Sequence, residues 1–373
     1  MNLAGSLREF VVRTVAAEQP TFGQRLGRGA LRLAALGYGT AMGMRNAGYA
    51  CGLLRSHRLR CRVVCVGNLT VGGTGKTPTV VTVARRLLAA GHKVCVVLRG
   101  YGRLGTATEV VSDGRDLLLG WQQAGDEAVL LGRLLPGVAV VVGGDRVEAG
   151  GLALRWFGPD TLLLDDGFQH RRLYRDVDLV LLDAADPFGG GQLLPRGRLR
   201  ESASALRRAH AILVTRSDQG GDLASLRQRL TACAPRVPVA WAVHRPCRVV
   251  DFHTGRTLPL ESLRGRKVVA VSGIANPDGF HRTLRQLDAT LSGILAFPDH
   301  HPFTGKDRAQ MSREARSAGA DCIVTTEKDA VRLGEEMPPD PPTLVLGIEV
   351  SLVEGEETFD RLLGITAEGM ARG

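Results

Sequence analysis

The sequence has no cysteine pair spaced C-x-x-C, few aromatic residues and no apolar run long enough to cross a bilayer. Its seven cysteines are scattered, and several lie in apolar stretches where a thiol acts as a small buried side chain, so neither a disulfide framework nor a zinc site fits. Aromatic residues make up 5% of the chain and rarely alternate with arginines. A surface that stacks nucleic-acid bases is therefore poorly supported.

What the chain does have is length and apolar content. Its 373 residues exceed the usual size of one hydrophobic core, and 44% of them are hydrophobic, which is enough to fill two cores. We therefore expect a basic N-terminal segment at 1–60, a larger domain at 61–240 and a smaller α/β domain at 241–373. The proline-containing stretch at about 234–246 is the candidate crossing between the two domains.

The first sixty residues carry much of the net charge of +10, with nine arginines and two glutamates. Between Arg32 and Arg45 lie twelve uncharged residues, well short of the ~20 that a spanning helix needs. The charges of Arg8, Glu9 and Arg13 also argue against a signal peptide. Apolar stretches punctuated by arginine are typical of a helix that lies in the headgroup layer of a membrane. A solvated basic arm, or helices packed on the core, is the alternative.

From Cys61 onward, short apolar runs alternate with helix-like segments. Continuous β-branched runs indicate strands covered on both faces, hence a mostly parallel sheet. The runs are CRVVCVG, HKVCVVLRG, VAVVVGG, TLLLDD, VDLVLLD and HAILVTR, followed by KVVAVSG, LSGILAF, DCIVTT and TLVLGIE. We predict an α/β fold, a mostly parallel sheet with flanking helices, plus a second, smaller α/β domain.

The segment GNLTVGGTGKT at 67–77, the phosphate loop, follows a strand and opens a helix. This context predicts a fold of the P-loop NTPase type, with 61–240 as the nucleotide-binding domain. Glycines let such a loop turn its N–H groups toward phosphates, Lys76 reaches the β and γ oxygens, and the Thr77 hydroxyl coordinates Mg²⁺. Thr70 stands where the usual motif has its first glycine. The nucleotide-binding residues are predicted to be Gly72, Gly73, Thr74, Gly75, Lys76 and Thr77, and the predicted cofactors are ATP and Mg²⁺.

Acidic residues follow the strand TLLLDD, where a second P-loop strand supplies its magnesium-supporting carboxylate. Asp165 and Asp166 are the candidates, and Asp183, at the end of VDLVLLD, is a rival. Asp126 and Glu127 open another helix, where capping is the simpler interpretation from the pattern alone.

Basic and histidine residues lie in other loops. The Arg198 and Arg200 guanidiniums suit an anionic substrate, and FPDHHPF places Asp299, His300 and His301 after a strand of the second domain. In TTEKDAVRL, Thr326 is predicted to cap a helix.

Taken together, GNLTVGGTGKTP, LRGYGR, GDEA, LDDGFQHRRL, RGRLRE, SGIANP, FPDHH and TTEKD resemble the tetraacyldisaccharide 4'-kinases of lipid A biosynthesis. The resemblance covers nearly the whole chain. It implies ATP-dependent phosphorylation of the 4'-hydroxyl of a tetraacylated glucosamine disaccharide 1-phosphate. It also implies a peripheral location at the cytoplasmic face of the inner membrane of a Gram-negative bacterium, with no obligate protein partner and no nucleic acid.

The resemblance also implies roles for particular residues. Asp126 pairs with a histidine, His300 or else His301, as the group that accepts the hydroxyl proton, and Lys76 acts on the phosphates. The implied metal site is Thr77, Glu127, Asp165 and Asp166, without distinguishing which aspartate is the direct ligand. The implied substrate contacts are Tyr101, Gln169, His170, Arg198, Arg200 and Glu201.

Two other functions remain open from the sequence. A membrane-associated regulatory ATPase would carry a lysine at the position of Val71. A nucleic-acid-binding ATPase is permitted by the arginine content and predicts stimulation by DNA or RNA with steep salt dependence.

Overall fold

The computed structural model describes residues 21–334 and 337–365, so Arg8 and Arg13 lie outside the described part. The helices are α1 Phe22–Ala50, α2 Lys76–Ala89, α3 Trp121–Ala124, α4 Asp126–Leu134, α5 Arg146–Phe157, α6 Leu223–Cys233, α7 Pro277–Gln286, α8 Gly305–Ser317, α9 Glu327–Leu333 and α10 Glu356–Leu363. The strands are β1 Arg62–Asn68, β2 Val94–Leu98, β3 Glu109–Asp113, β4 Ala139–Val142, β5 Thr161–Asp165, β6 Val177–Asp183, β7 Ala211–Thr215, β8 Val239–Asp251, β9 Thr257–Leu258, β10 Lys267–Ser272, β11 Thr290–Ala296, β12 Cys322–Thr326 and β13 Thr343–Glu354. All ten apolar runs predicted as strands are strands, and the α/β prediction is confirmed.

One mostly parallel sheet contains these strands, in the order β11-β10-β12-β13-β8-β7-β6-β1-β5-β2-β4-β3, with β9 paired to β8. The antiparallel pairs are β13 with β8, β3 with β4 and β8 with β9. Strand β1 lies between β5 and β6 and is parallel to both. The loop that follows β1 therefore emerges beside the carboxylates at the end of β5, at the sheet edge where ligands bind in open α/β folds.

The centre of the sheet is covered on both faces, as its apolar runs require. Along β1, Val64 and Val66 pack into one buried cluster, and Val63 and Cys65 pack into another. Successive strand residues point to opposite faces, so the two clusters lie on the two sides of the sheet. A strand buried in this way has no polar face, which is why the sequence shows continuous rather than alternating hydrophobicity.

The stretch predicted as a crossing between domains is largely strand. Strand β8 begins at Val239 and pairs in parallel with β7, and the same strand pairs antiparallel with β13 along most of its length. The candidate crossing therefore contains a strand shared by both halves, and the domain bounds stay a prediction. Pro246 lies in this strand at a register shift of the β8–β13 ladder, where proline is tolerated.

Several helix ends lie where the sequence placed them. Gly91, with φ of 83°, follows α2 directly after its C-cap residue. Pro277 is the first residue of α7, and the Thr326 side chain accepts a hydrogen bond from the Asp329 amide at the start of α9. Thr326 is therefore an N-cap, as predicted.

Helix α1 packs one side against the body of the protein and exposes the other. The Tyr38 hydroxyl donates to the Arg200 carbonyl at 2.9 Å and the Asn46 amide donates to Glu201 at 2.6 Å. Leu33 and Leu36 are 72% and 68% exposed. Among residues 21–334 and 337–365, no helix combines the length and apolar character that a membrane crossing requires.

Candidate active site

The phosphate loop leads from β1 into the N-terminus of α2. Gly72 and Gly75 adopt φ of 112° and 80°, a region that favours glycine. The Asn68 amide donates to the Thr70 carbonyl at 2.7 Å and to the Thr74 hydroxyl at 2.9 Å. The N-cap residue of α2 is Gly75, which has no side chain to cap the helix. The first N–H groups of α2 are thus available to an anion.

Two arginines hold the same loop from outside. Arg198 Nε donates to the Val71 carbonyl at 3.1 Å and its Nη1 pairs with Asp186 at 3.0 Å. Arg216 donates to the Gly73 carbonyl at 3.1 Å and pairs with Asp183. Asp183, the rival acidic candidate, is thus engaged by an arginine, and Arg198, a predicted substrate contact, lies against the phosphate loop.

The two aspartates after β5 have different surroundings. Asp166, with φ of 55°, receives Arg200 Nη1 at 2.8 Å on each oxygen and lies 4.0 Å from Lys76 Nζ. Burial opposes its charge, but Lys76 and Arg200 lower the pKa of Asp166 overall. Asp165 is 2% exposed, and its Oδ1 has no hydrogen-bond partner. Burial, and then the neighbouring Glu127 carboxylate, raise the pKa of Asp165 well above its usual range.

This donor set fits a divalent cation. Within the described ranges no group of three or more acidic, histidine or cysteine side chains is already arranged around a common point. The unpaired oxygen of Asp165 and the repulsion between Asp165 and Glu127 are nevertheless what a bound cation would relieve. Asp166 is engaged by cations of the protein itself, so Asp165 is the freer of the two aspartates.

Asp126 and His300, 174 residues apart in the chain, form the closest acid–imidazole contact of the site. His300 Nδ1 lies 2.9 Å from Asp126 Oδ2. Asp126 is the first residue of α4, whose N-cap is Gly125, and it is 4% exposed. Asp126 therefore follows the N-cap instead of occupying it, but its Oδ1 still accepts a hydrogen bond from the Glu127 amide at 2.9 Å, so the same carboxylate contacts both the helix start and His300. His301 instead pairs with Asp307 at 3.1 Å.

His300 is held by its surroundings as well as by Asp126. Its backbone has φ of 61°, and the Tyr101 ring lies 5.5 Å from its ring, centroid to centroid. Burial opposes the charge of Asp126, but the His300 hydrogen bond and the Lys328 charge lower the pKa of Asp126 overall. The imidazole thus faces a carboxylate whose charged form is favoured.

Sequence reasoning missed Lys328. It lies in the first turn of α9, and its Nζ is 3.1 Å from His300 Nε2, 3.3 Å from Asp299 and 3.6 Å from Glu127. The TTEKD segment was assigned only a helix start, because a lysine in a helical turn is ordinary. The acidic residues that surround Lys328 come from other segments, so only the fold brings them together.

The remaining predicted substrate residues divide into two groups. Gln169 accepts from Arg200 Nη1 at 3.4 Å, and Tyr101 is 67% exposed beside His300. His170 and Glu201 are less available: burial, with Arg146 nearby, lowers the pKa of His170 to about 4, and Glu201 is 2% exposed. The roles of these residues stay predictions.

Comparison with known proteins identifies the family. The profile of the family described as Tetraacyldisaccharide-1-P 4'-kinase matches residues 28–366. A tetraacyldisaccharide 4'-kinase of Anaeromyxobacter sp. (strain Fw109-5) is 47% identical over 331 residues, which is 88% of each chain. That of Syntrophus aciditrophicus (strain SB) is 41% identical over 342 residues, covering 89% of this chain and 91% of the relative.

A solved structure is also similar. LpxK from Aquifex aeolicus, crystallised in complex with ATP, superposes with a TM-score of 0.75 at 32% identity and covers 90% of this chain and 98% of that one. The family profile, the curated relatives and this fold agree over most of the sequence. The chain belongs to the tetraacyldisaccharide-1-P 4'-kinase family.

Proposed function

We propose that this protein transfers the γ-phosphate of ATP to the 4'-hydroxyl of a tetraacylated glucosamine disaccharide 1-phosphate, forming the 4'-phosphate of a lipid A precursor. The observation that carries the proposal is the Asp126–His300 pair, at 2.9 Å. An imidazole oriented by a buried carboxylate is a suitable acceptor for a hydroxyl proton. Membership of the family supplies the substrate class.

In the proposed reaction the nucleotide is bound by residues 61–240 and the histidine comes from 241–373. The phosphates rest on the phosphate loop and the start of α2, with Lys76 on the β and γ oxygens. The substrate hydroxyl gives its proton to Nε2 of His300, its oxygen bonds to the γ-phosphorus, and the β–γ bridging bond breaks with its electron pair going to ADP. Asp126 stabilises the imidazolium that forms.

Mg²⁺ is the expected companion of ATP, held by Asp165, Thr77 and Glu127. It would neutralise charge on the β and γ phosphates. Asp166 has a separate task in this proposal, because its carboxylate aligns Lys76 with Arg200.

The lipid substrate is proposed to reach the site along a membrane surface. Helix α1 contacts the Arg200 segment on one side and exposes apolar side chains on the other. Leu26, Leu33, Leu36 and Met44 are each more than half exposed, and helical spacing puts them on one face. Arginines of the same helix suit anionic headgroups. This supports a peripheral position on a membrane surface, and family membership makes the cytoplasmic face of the inner membrane the proposed location.

The test is transfer of ³²P from labelled ATP to the purified disaccharide 1-phosphate in mixed micelles. Wild type is compared with Lys76→Ala, Asp126→Asn and His300→Ala. We expect labelled lipid from wild type and a loss of about 10²- to 10⁴-fold in turnover for the two dyad variants. A folded, ATP-binding wild type that labels no lipid would refute the proposal.

A further inference from the structure

Lys328 has an environment that the reaction described above leaves unexplained. Its ammonium lies among three carboxylates, those of Asp126, Glu127 and Asp299, and its Nζ is 3.1 Å from His300 Nε2. The Lys328 ammonium is therefore in contact with the ring nitrogen that receives the proton.

The contact determines which ring nitrogen carries hydrogen. A lysine ammonium has three donors and no acceptor, so a hydrogen bond between Nζ and Nε2 requires a lone pair on Nε2. The hydrogen of a neutral imidazole then lies on Nδ1, where it is donated to Asp126 Oδ2 at 2.9 Å. This is the tautomer that a proton acceptor at Nε2 needs.

Lys328 is the donor that faces Nε2, whereas carboxylates face both ring nitrogens. Asp126 and Asp299 lie 2.9 Å from Nδ1 and 3.8 Å from Nε2. Arg332 is a further cation beside this cluster, with Nε 3.4 Å from Asp126 Oδ2. Without the ammonium as donor at Nε2, the imidazole could carry its hydrogen there, and a protonated Nε2 has no lone pair with which to accept a proton.

We propose that Lys328 is a positioning residue of this kinase site, holding His300 as the neutral Nδ1–H tautomer until the acceptor hydroxyl displaces its ammonium from Nε2. After displacement Lys328 keeps its contacts with Asp299 and Glu127. The hydroxyl then donates to the freed lone pair and passes its proton to Nε2 as its oxygen bonds to phosphorus. The proposal rests on the proposed function, since it acts through His300 as proton acceptor.

The first test is independent of activity. In protein labelled with ¹⁵N-histidine, long-range ¹H–¹⁵N spectra distinguish the two tautomers and the imidazolium, and His300→Ala identifies the His300 signals. We expect the neutral His300 ring of wild type to carry hydrogen on Nδ1 alone, and Lys328→Met to give a mixture of the two tautomers. Hydrogen on Nε2 in wild type would overturn the proposal, whatever the variants do.

The second test is kinetic. Lys328→Met should lower kcat about 10-fold to 100-fold with little change in KM for ATP, and Lys328→Arg, which keeps a donor cation, should recover part of the loss. Lys306→Met, at an exposed lysine, is the matched control and should leave kcat unchanged. A higher KM for ATP with unchanged kcat would place Lys328 on the nucleotide and refute its action through His300.

The two proposals can fail separately. If wild type labels no lipid, the kinase reaction is wrong whatever the histidine spectra show. If wild type is active and Lys328→Met leaves both kcat and the His300 tautomer unchanged, only the role of Lys328 is wrong.

Discussion

Replacing Glu201 with alanine tests whether this residue stabilises the fold or contacts the substrate, as the resemblance implies. Glu201 is 2% exposed, and Arg208 approaches its two oxygens at 2.9 and 3.1 Å while Asn46 donates at 2.6 Å. No oxygen of Glu201 is left without a protein donor. We therefore expect Glu201→Ala to destabilise the fold rather than to weaken substrate binding selectively.

The size of the effect follows from the surroundings of the pair. Removing one partner of a buried ion pair costs roughly 3–5 kcal/mol. The Arg208 side chain is 24% exposed, so water can solvate part of its charge and the lower end, about 3 kcal/mol, applies. Unfolding entropies of about 2.1 cal/mol/K per residue give ~0.8 kcal/mol/K for this chain. Dividing the loss of about 3 kcal/mol by this entropy, we expect the midpoint of thermal unfolding to fall by about 4 °C.

Differential scanning calorimetry and steady-state kinetics measure the two outcomes side by side. Glu357→Ala, at an exposed position, is the control and should leave the midpoint unchanged. The double variant Glu201→Ala, Arg208→Ala should lose less than the two single losses combined, because no unpaired charge stays buried. An unchanged midpoint together with a raised KM for the lipid would show that Glu201 contacts substrate and that this reasoning is wrong.

Three further predictions concern the phosphate loop, acid stability and membrane binding. Gly75→Ala should abolish ATP binding in equilibrium titrations, because Gly75 has φ of 80° and a Cβ there would lie 2.6 Å from the His244 ring. Burial, followed by the charge of Arg216, lowers the pKa of His244 to about 3 in the folded protein. As the pH falls below the usual histidine pKa of about 6.5, His244 therefore gains its proton in the unfolded state before it does so in the folded state. The contribution of His244 to the free energy of unfolding is complete above this pH and decreases below it. Denaturant unfolding should show a loss of about 2 kcal/mol at pH 5 from this group, absent in His244→Asn. Leu33→Glu with Leu36→Glu should reduce sedimentation with anionic vesicles at least 10-fold without changing ATP binding, and equal sedimentation would exclude this face of α1 from membrane contact.

The sequence predicts the parts of the site that depend on strand ends. Lys76 and Asp166 come close because β1 and β5 are neighbours in a parallel sheet. The apolar runs that form such strands can be recognised in the sequence. The pairing of Asp126 with His300 came only from the family resemblance, since a helix start and a histidine loop 174 residues away share no local signal.

Other features of the site depend on packing that no local pattern records. In the sequence, Glu201 resembles any other charged residue of an arginine-rich segment, but the fold encloses it between Arg208 and Asn46. The sequence predicts Lys328 to be a solvent-exposed helix residue, but in the fold it lies among carboxylates from two other segments. In both cases the environment is assembled from distant parts of the chain, so burial and charge could not be inferred before the topology was known.

The path of β8 bears on how the protein unfolds. A strand of thirteen residues extends for roughly 43 Å, and its ladder with β13 joins the strands of the second half to β7 in the first. Opening either half would expose main-chain groups of the other, so we expect a single cooperative transition in calorimetry rather than separate melting of the halves. Because β8 is continuous where it passes from β7 to β13, the half that carries His300 and the half that carries the phosphate loop are joined by main-chain hydrogen bonds as well as by the chain itself.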